Sequence, residues 1–489
     1  MRQRIGLWLG PLLLLAILLL PRPEGLSSEA QRVGAVVAMM AIWWLLDAVP
    51  VAITALLPIL LYPLLGVMKS SEVTPSYANH LIYLFLSGFL LALAIEKWGL
   101  HHRIALRTLA VMGHSPERVL LGFMLVTALL SMWMSATITA MMMLTVALAL
   151  LHDEFGSAPS PYTERGRDQR AFATSLTLGI AYAASIGGAV TIVGSPPNAI
   201  LAGILAQQHE MSLSLIGWML MTLPVALVML FGVWFYLSRI AYPTRFNHLP
   251  GGTALFHKAH QDLGDFSRAE RRLIAVFALV VVGWIVRALN QSEFFDWVQD
   301  STIALAGAVA LFVIPSGRRP GEPLLDWKSA KQLPWEIILL FGGGFAIAQG
   351  FQETGLTEWL AGQLLNLPDI APFWILLITT LFALALTEVT SNISTAALIL
   401  PLVGAIAVIF DLPTQLLMSS AAIACSYAFM LPTATPANAI AYGSGYFSIG
   451  QMARTGLPIN LLGALLISGY LYLFMDAFAP LLFSSSHNG

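Results

Sequence analysis

Ser131-Met-Trp-Met-Ser-Ala-Thr-Ile-Thr139 sets four hydroxyl side chains inside an apolar run from Leu120 to Leu151. Thr387-Glu-Val-Thr-Ser-Asn-Ile-Ser-Thr395 sets five, with the Asn392 amide, between Trp374 and Phe410. The runs are 32 and 37 residues long, whereas one crossing of a bilayer needs about 20. Backbone groups freed by a break at membrane depth survive only where protein or a watery cavity receives them. Each stretch therefore predicts two half-depth helices joined by a polar tip, a re-entrant hairpin. Ser and Thr also glue ordinary membrane helices together. A cluster that recurs favours a site.

The surrounding composition agrees. Of 489 residues 57% are hydrophobic and only 10% charged, and the mean hydropathy is +0.78. Soluble domains carry about 25% charged residues, so the chain is an integral, multi-pass membrane protein. A net charge of −2 gives no basic surface for nucleic acid, and the single Cys425 excludes a disulfide framework.

The recurrence extends beyond the hairpins. Gly88-Phe89, Ala92 and Gly99-Leu100 return as Gly344-Phe345, Ala348 and Gly355-Leu356, an offset of 256, which also relates the two tips. Gly194-Ser-Pro-Pro-Asn198 returns as Ala434-Thr-Pro-Ala-Asn438, offset by 240. The first Gly-Leu element runs into His101-His102-Arg103 and the second into Thr357-Glu358. Basic loops face the cytoplasm, so matching elements with opposite flanking charge predict opposite orientation. Inverted repeats of this kind build many secondary transporters.

Pro196, Pro197, Pro432 and Pro436 sit in the apolar stretches 172–206 and 416–447. Proline removes a donor and clashes with a continuing helix, which predicts two broken helices. Matched breaks point to a binding site near the midplane. A plain kink is the blander possibility. Helix N-termini at such breaks attract anions, and unwound carbonyls suit sodium. Glu388 stands inside the second tip, where it neutralises a cation or orients hydroxyls, while Asp47 and Glu96 lie near segment ends and are expected to reach the interface. No Lys or Arg falls in either tip.

Arg2 and Arg4 precede an apolar stretch from Ile5 to Leu20, followed by Pro21-Arg22-Pro23-Glu24. This reads as a retained first span rather than a cleaved signal, because no small-x-small site ends it. Arg103, Arg107, Arg118, the 239–272 cluster with Lys258, Arg318, Arg319, Lys328 and Lys331 mark cytoplasmic loops. The 293–300 loop, with Glu293, Asp296 and Asp300, belongs outside; 152–170, with Pro159 and Pro161, is a polar connection. No histidine lies mid-run, and no His-Glu-x-x-His or Gly-x-Ser-x-Gly occurs, so an enzyme is not expected.

At these residues the chain resembles the divalent-anion/sodium symporter family, which moves di- and tricarboxylates or sulfate. The resemblance runs from about residue 30 to 480. It rests on Phe85-Leu-Ser-Gly-Phe-Leu-Leu-Ala-Leu-Ala-Ile-Glu-Lys-Trp98, Ala184-Ser-Ile-Gly-Gly188, Gly194-Ser-Pro-Pro-Asn198, Leu340-Phe-Gly-Gly-Gly344, Thr387-Glu-Val-Thr-Ser-Asn392 and Met430-Leu-Pro-Thr-Ala-Thr-Pro-Ala-Asn438. It implies an all-α protein in a plasma or bacterial inner membrane. It implies, too, a homodimer whose scaffold holds a transport domain that slides as an elevator. In this chain the division would be an N-terminal span over 1–25, scaffold helices over 26–117, and the first transport part over 118–238. A cytoplasmic loop over 239–271, scaffold helices over 272–371 and a second transport part over 372–483 would follow. The hairpins would occupy 118–151 and 372–410.

The resemblance also implies site residues. A small anionic substrate would meet Ser135, Ala136, Thr137, Ser391, Asn392, Ile393, Thr435 and Pro436. One co-transported sodium ion would use Ser131, Ser135, Ala136 and Gly194; another would use Thr387, Ser391, Asn392 and Ala434. The family's Ser-Asn-Thr tip reads Ser135-Ala136-Thr137 in one copy and Ser391-Asn392-Ile393 in the other. One amide and one hydroxyl are thus missing, which predicts weaker holding of a plain C4-dicarboxylate and an anion with a less polar or larger remainder. A sodium-coupled symporter is the leading expectation. A sodium-independent exchanger stands as its alternative, and a channel or membrane enzyme ranks lower.

Overall fold

The computed structural model describes residues 2–156, 163–209, 211–245, 249, 261, 263–289, 297–364 and 370–485. Among these, eight helices are long and apolar enough to cross a membrane. Glu293, Asp296, Pro159, Pro161 and Lys258, used above to place loops, lie outside the described residues.

Helix Arg2–Leu19 packs along Ser28–Leu45, whose start is capped by Ser27 Oγ accepting from Ala30 N at 3.0 Å. After the short helices Val51–Thr54 and Leu57–Leu64, His80–Lys97 ends at Gly99, and Leu100–Val111 leaves it as an arm. In the second half Trp335–Thr354 ends at Gly355 and Leu356–Leu364 leaves it likewise. Gly99 and Gly355 have φ of +68° and +71°. That left-handed conformation lets a helix end and turn, and glycine alone takes it freely.

The first hairpin is Pro116–Ser131 and Ala136–Phe155; the second is Pro372–Val389 and Asn392–Ile409. Both begin with proline in the first helical turn, where its missing donor would be unpaired anyway. The arms hold 16, 20, 18 and 18 residues, or roughly 24–30 Å each. They are longer than half-depth. The reason is local: the polar break costs only Met132–Ser135 in one copy and Thr390–Ser391 in the other, so nearly all the apolar run stays helical.

The two broken helices are Glu164–Gly188 with Pro196–Gln208, and Thr414–Ser426 with Pro436–Gly443. They cross-pack with the hairpins. Ala136–Phe155 lies against Pro436–Gly443, and Asn392–Ile409 against Pro196–Gln208. Glu164–Gly188 packs on Pro116–Ser131, and a Cβ on Gly187 would stand 2.1 Å from Ala128 O, so these two backbones touch. Leu215–Phe235 continues into a π-helical turn at Tyr236–Ala241, and the 34-residue Ile449–Leu482 closes the chain.

The fold is helical with one small addition: Met211–Leu213 pairs antiparallel with Phe483–Ser485, and Ser214 N donates to Leu482 O at 2.8 Å. Three-residue strands are too short to show a period of two. Asp47 and Glu96 are exposed at their segment ends, Asp47 in a turn with φ of +47°.

Candidate functional site

The first tip closes onto the first break through oxygen atoms. Buried Ser131 donates its hydroxyl to Ala184 O at 2.6 Å. Thr191 Oγ1 donates to Met132 O at 2.5 Å and accepts from Gly194 N at 2.7 Å. A Cβ built on Gly194 would lie 2.6 Å from Gly188 O, 2.8 Å from Ser131 O and 3.0 Å from Met132 O. One built on Gly188 would lie 3.0 Å from Gly194 O and 3.4 Å from Ser131 Oγ. Neutral oxygens therefore crowd both positions, and glycine at 188 and 194 leaves the room between them open. Hard oxygen ligands are what sodium prefers. Ser135, Ala136 and Thr137 are half-buried at the rim, with Ser135 Oγ accepting from Thr137 N at 3.3 Å.

The second tip is braced differently. Buried Thr387 donates to Cys425 O at 3.0 Å, which sets the hairpin against the end of Thr414–Ser426. The hydroxyls of Thr390 and Thr395 bond each other. Ser391, Asn392 and Ile393 are half-buried, Ala434 and Thr435 buried, and Pro436 exposed. Thr435 Oγ1 accepts from Asn438 N at 3.2 Å. Among the described residues the side chains of Thr137, Ser391 and Asn392 have no hydrogen-bond partner, so these polar groups remain free for a ligand.

The Glu388 carboxylate is spent on amides. Its Oε1 accepts from Phe429 N at 2.7 Å, Met430 N at 2.9 Å and Asn460 Nδ2 at 2.6 Å, and its Oε2 from Leu431 N at 3.0 Å. The carboxylate clips the unwound segment after Ser426 to the second hairpin. Asn460, from the last helix, escaped the sequence reading, since nothing in its apolar surroundings marks it.

The two breaks repeat each other in detail. Asn198 Nδ2 donates to Ala189 O and Thr191 O at 3.0 and 2.8 Å; Asn438 Nδ2 donates to Ala428 O and Leu431 O at 2.9 and 3.1 Å. In both, the buried Oδ1 has no partner among the described residues. Ser195 Oγ and Ser426 Oγ bond at 2.6 Å and join the breaks. No hydrogen bond among the described residues joins Ser135–Thr137 directly to Ser391–Ile393.

Four helices begin at Ser135, Ser195, Ser391 and Thr435, and the helices that follow pack crosswise. A helix N-terminus carries about +0.5 charge, so each of these starts favours an anion without any lysine or arginine.

The chain matches the sodium:sulfate symporter transmembrane region over residues 4–478. It is 40% identical over 468 residues to the sodium-dependent dicarboxylate transporter SdcS of Staphylococcus saprophyticus, covering 95% of this chain and 90% of that one. The corresponding protein of Staphylococcus aureus is 41% identical over 476 residues, covering 97% and 91%. Among solved structures, MtrF of Neisseria gonorrhoeae superposes with a TM-score of 0.60 at 12% identity, covering 96% of this chain and 94% of that one. The YdaH transporter of Alcanivorax borkumensis does so with 0.55 at 13%, covering 98% and 99%. These likenesses concern the fold alone.

Proposed function

We propose a function on the premise that the chain belongs to the sodium:sulfate symporter family. It is a secondary transporter of the cell membrane, not an enzyme, that moves a dicarboxylate together with sodium. The carrying observation is the oxygen-lined space at Gly194 beside helix N-termini that hold no fixed cation. A dianion placed there gains from dipoles, free hydroxyls and the Asn392 amide, and co-bound sodium supplies the remaining positive charge. Either ion alone would leave uncompensated charge in a low-dielectric site, which is costly; together they approach neutrality. That difference couples the two movements.

The finer reading assigns sodium to Ser131, Ser135, Ala136 and Gly194 in one site and to Thr387, Ser391, Asn392 and Ala434 in the other. The substrate rests between Ser135–Thr137, Ser391–Ile393 and the Thr435–Pro436 turn. The matched glycine elbows, hairpins and breaks support inverted repeats. An elevator movement of hairpins and broken helices against the remaining helices, within a homodimer, fits that arrangement.

The test is uptake of labelled succinate into proteoliposomes with and without a sodium gradient. Sodium-driven accumulation is expected, and equal uptake without sodium would point to exchange. Asn392→Ala removes one ligand amide, worth about 1–3 kcal/mol, and should raise the half-saturating sodium concentration by at least about fivefold. Ala136→Asn with Ile393→Thr restores the missing amide and hydroxyl. Tighter succinate competition in that double variant would mean the two departures set specificity.

Orientation has its own check. In a Cys425→Ala background, exposed Arg107→Cys should react with a membrane-impermeant maleimide only from the cytoplasm. Gly362→Cys, where a side chain meets nothing within 4 Å, should react only from outside. Reaction of both from one side removes the inverted-repeat reading.

A further inference from the structure

Away from the tips, a cavity of about 340 Å³ opens among Arg167, Arg170, Thr174, Tyr242, Tyr446 and Gln451. Four separate parts of the chain meet there: the start of Glu164–Gly188, the end of the π-helical turn, the loop after Pro436–Gly443 and the first turn of Ile449–Leu482. All lie at the end of the molecule that carries Arg239, the cytoplasmic end by charge. The wall is built, not incidental. Thr174 Oγ1 donates to Tyr446 O at 3.0 Å, and the Tyr242 and Thr455 hydroxyls bond at 2.8 Å.

The groups offered to the cavity are donors. Arg167 and Arg170 are exposed, and neither takes part in an ion pair among the described residues. Gln451 spends its carbonyl oxygen on Ser448 N at 2.9 Å, which leaves its amide N–H groups unspent. Burial pushes the Tyr242 and Tyr446 hydroxyls up from their ordinary titration range, so both keep their protons at neutral pH. Among the described residues, no carboxylate lines the cavity. Arginines three apart on a helix are neighbours, about 5–6 Å between Cβ atoms, and each guanidinium is a planar fork matched to a carboxylate.

We propose that this cavity is a second anion site, on the cytoplasmic face and separate from the hairpin tips, which holds a small organic dianion between Arg167 and Arg170. It needs no sodium, because the positive charge is covalently fixed. It keeps released dianion beside the transport machinery, so that internal substrate is sensed where it leaves. The choice of a dicarboxylate as its ligand rests on the transport reading above; the sodium independence does not.

The experiment is equilibrium binding of labelled succinate, with sulfate as a second probe, to the full chain in phosphatidylcholine nanodiscs. Two anions per chain are expected with sodium and one without. Arg167→Gln with Arg170→Gln should weaken the sodium-independent class by about tenfold or more and leave the sodium-dependent class intact, which also reports that the variant is folded. Asn392→Ala should do the reverse. Absence of sodium-independent binding in the parent, or its survival in the double arginine variant, overturns the proposal. Loss of that class when phosphatidylglycerol replaces part of the lipid would make the cavity a headgroup site and overturn it too. If only the sodium-dependent class is missing, the transport reading fails and the cytoplasmic site stands.

Discussion

Gly194→Ala abolishes sodium-dependent uptake, lowering it by at least about a hundredfold. The methyl group would sit 2.6–3.0 Å from three carbonyl oxygens, in the space offered to the ion. Displacing two oxygen ligands, at about 1–3 kcal/mol each, suffices for that factor, since 1.4 kcal/mol is tenfold. The comparison is Gly443→Ala, where a Cβ meets nothing within 4 Å and transport should persist. Thermal stability in detergent separates the causes. The parent should be stabilised by added sodium, as any ligand that binds only the folded state stabilises it, and the alanine variant should not. A variant that keeps its sodium half-saturation would show that the oxygens around Gly194 hold no ion.

Glu388→Ala produces the largest loss of stability expected of any single change in the tips. It leaves three backbone N–H groups and the Asn460 amide facing a void. Each buried unsatisfied donor costs about 1–3 kcal/mol, so the total is at least about 3 kcal/mol even if some find water. Glu388→Gln keeps one acceptor oxygen and should lose less. Both variants are compared by inactivation half-life at a fixed temperature, because membrane proteins of this size commonly unfold irreversibly. The discriminating readout is sodium affinity in the protein that remains active. It should match the parent within about twofold, because the carboxylate is spent on amides. A selective rise in the sodium required would mean that Glu388 touches the ion after all.

The elements that were legible in sequence share one physical cause. Ser131–Thr139 and Thr387–Thr395 stand out because hydroxyls are rare and conspicuous inside an apolar run, and Pro196 and Pro436 because a proline ends a helix wherever it falls. Gly194 was legible as part of a motif. Its reason was not, for the oxygens around it come from Ser131, Met132 and Gly188, and only the fold brings these together. Glu388 was visible as a charge in a membrane segment, yet its partners at 429–431 and Asn460 lie 41–72 residues away. The helix lengths of the hairpins were underestimated because a polar cluster of nine residues can be broken by as few as two. Arg167 and Arg170 read only as part of a polar connection over 152–170, since the groups that enclose them, Tyr242, Tyr446 and Gln451, lie more than 70 residues further along the chain.

The serine pair that joins the two breaks sets a schedule for biosynthesis. Ser195 and Ser426 are separated by 231 residues, and ribosomes add about 5–20 residues per second, so roughly 12–46 s pass between their emergence. During that interval the segment from Ala189 to Gly194 already has its partners at Met132, Asn198, Trp218 and Thr222, while Ser195 still lacks Ser426. A half-made transporter therefore carries one unpaired hydroxyl at its first break, which water or the insertion machinery must satisfy until the second half arrives to take it.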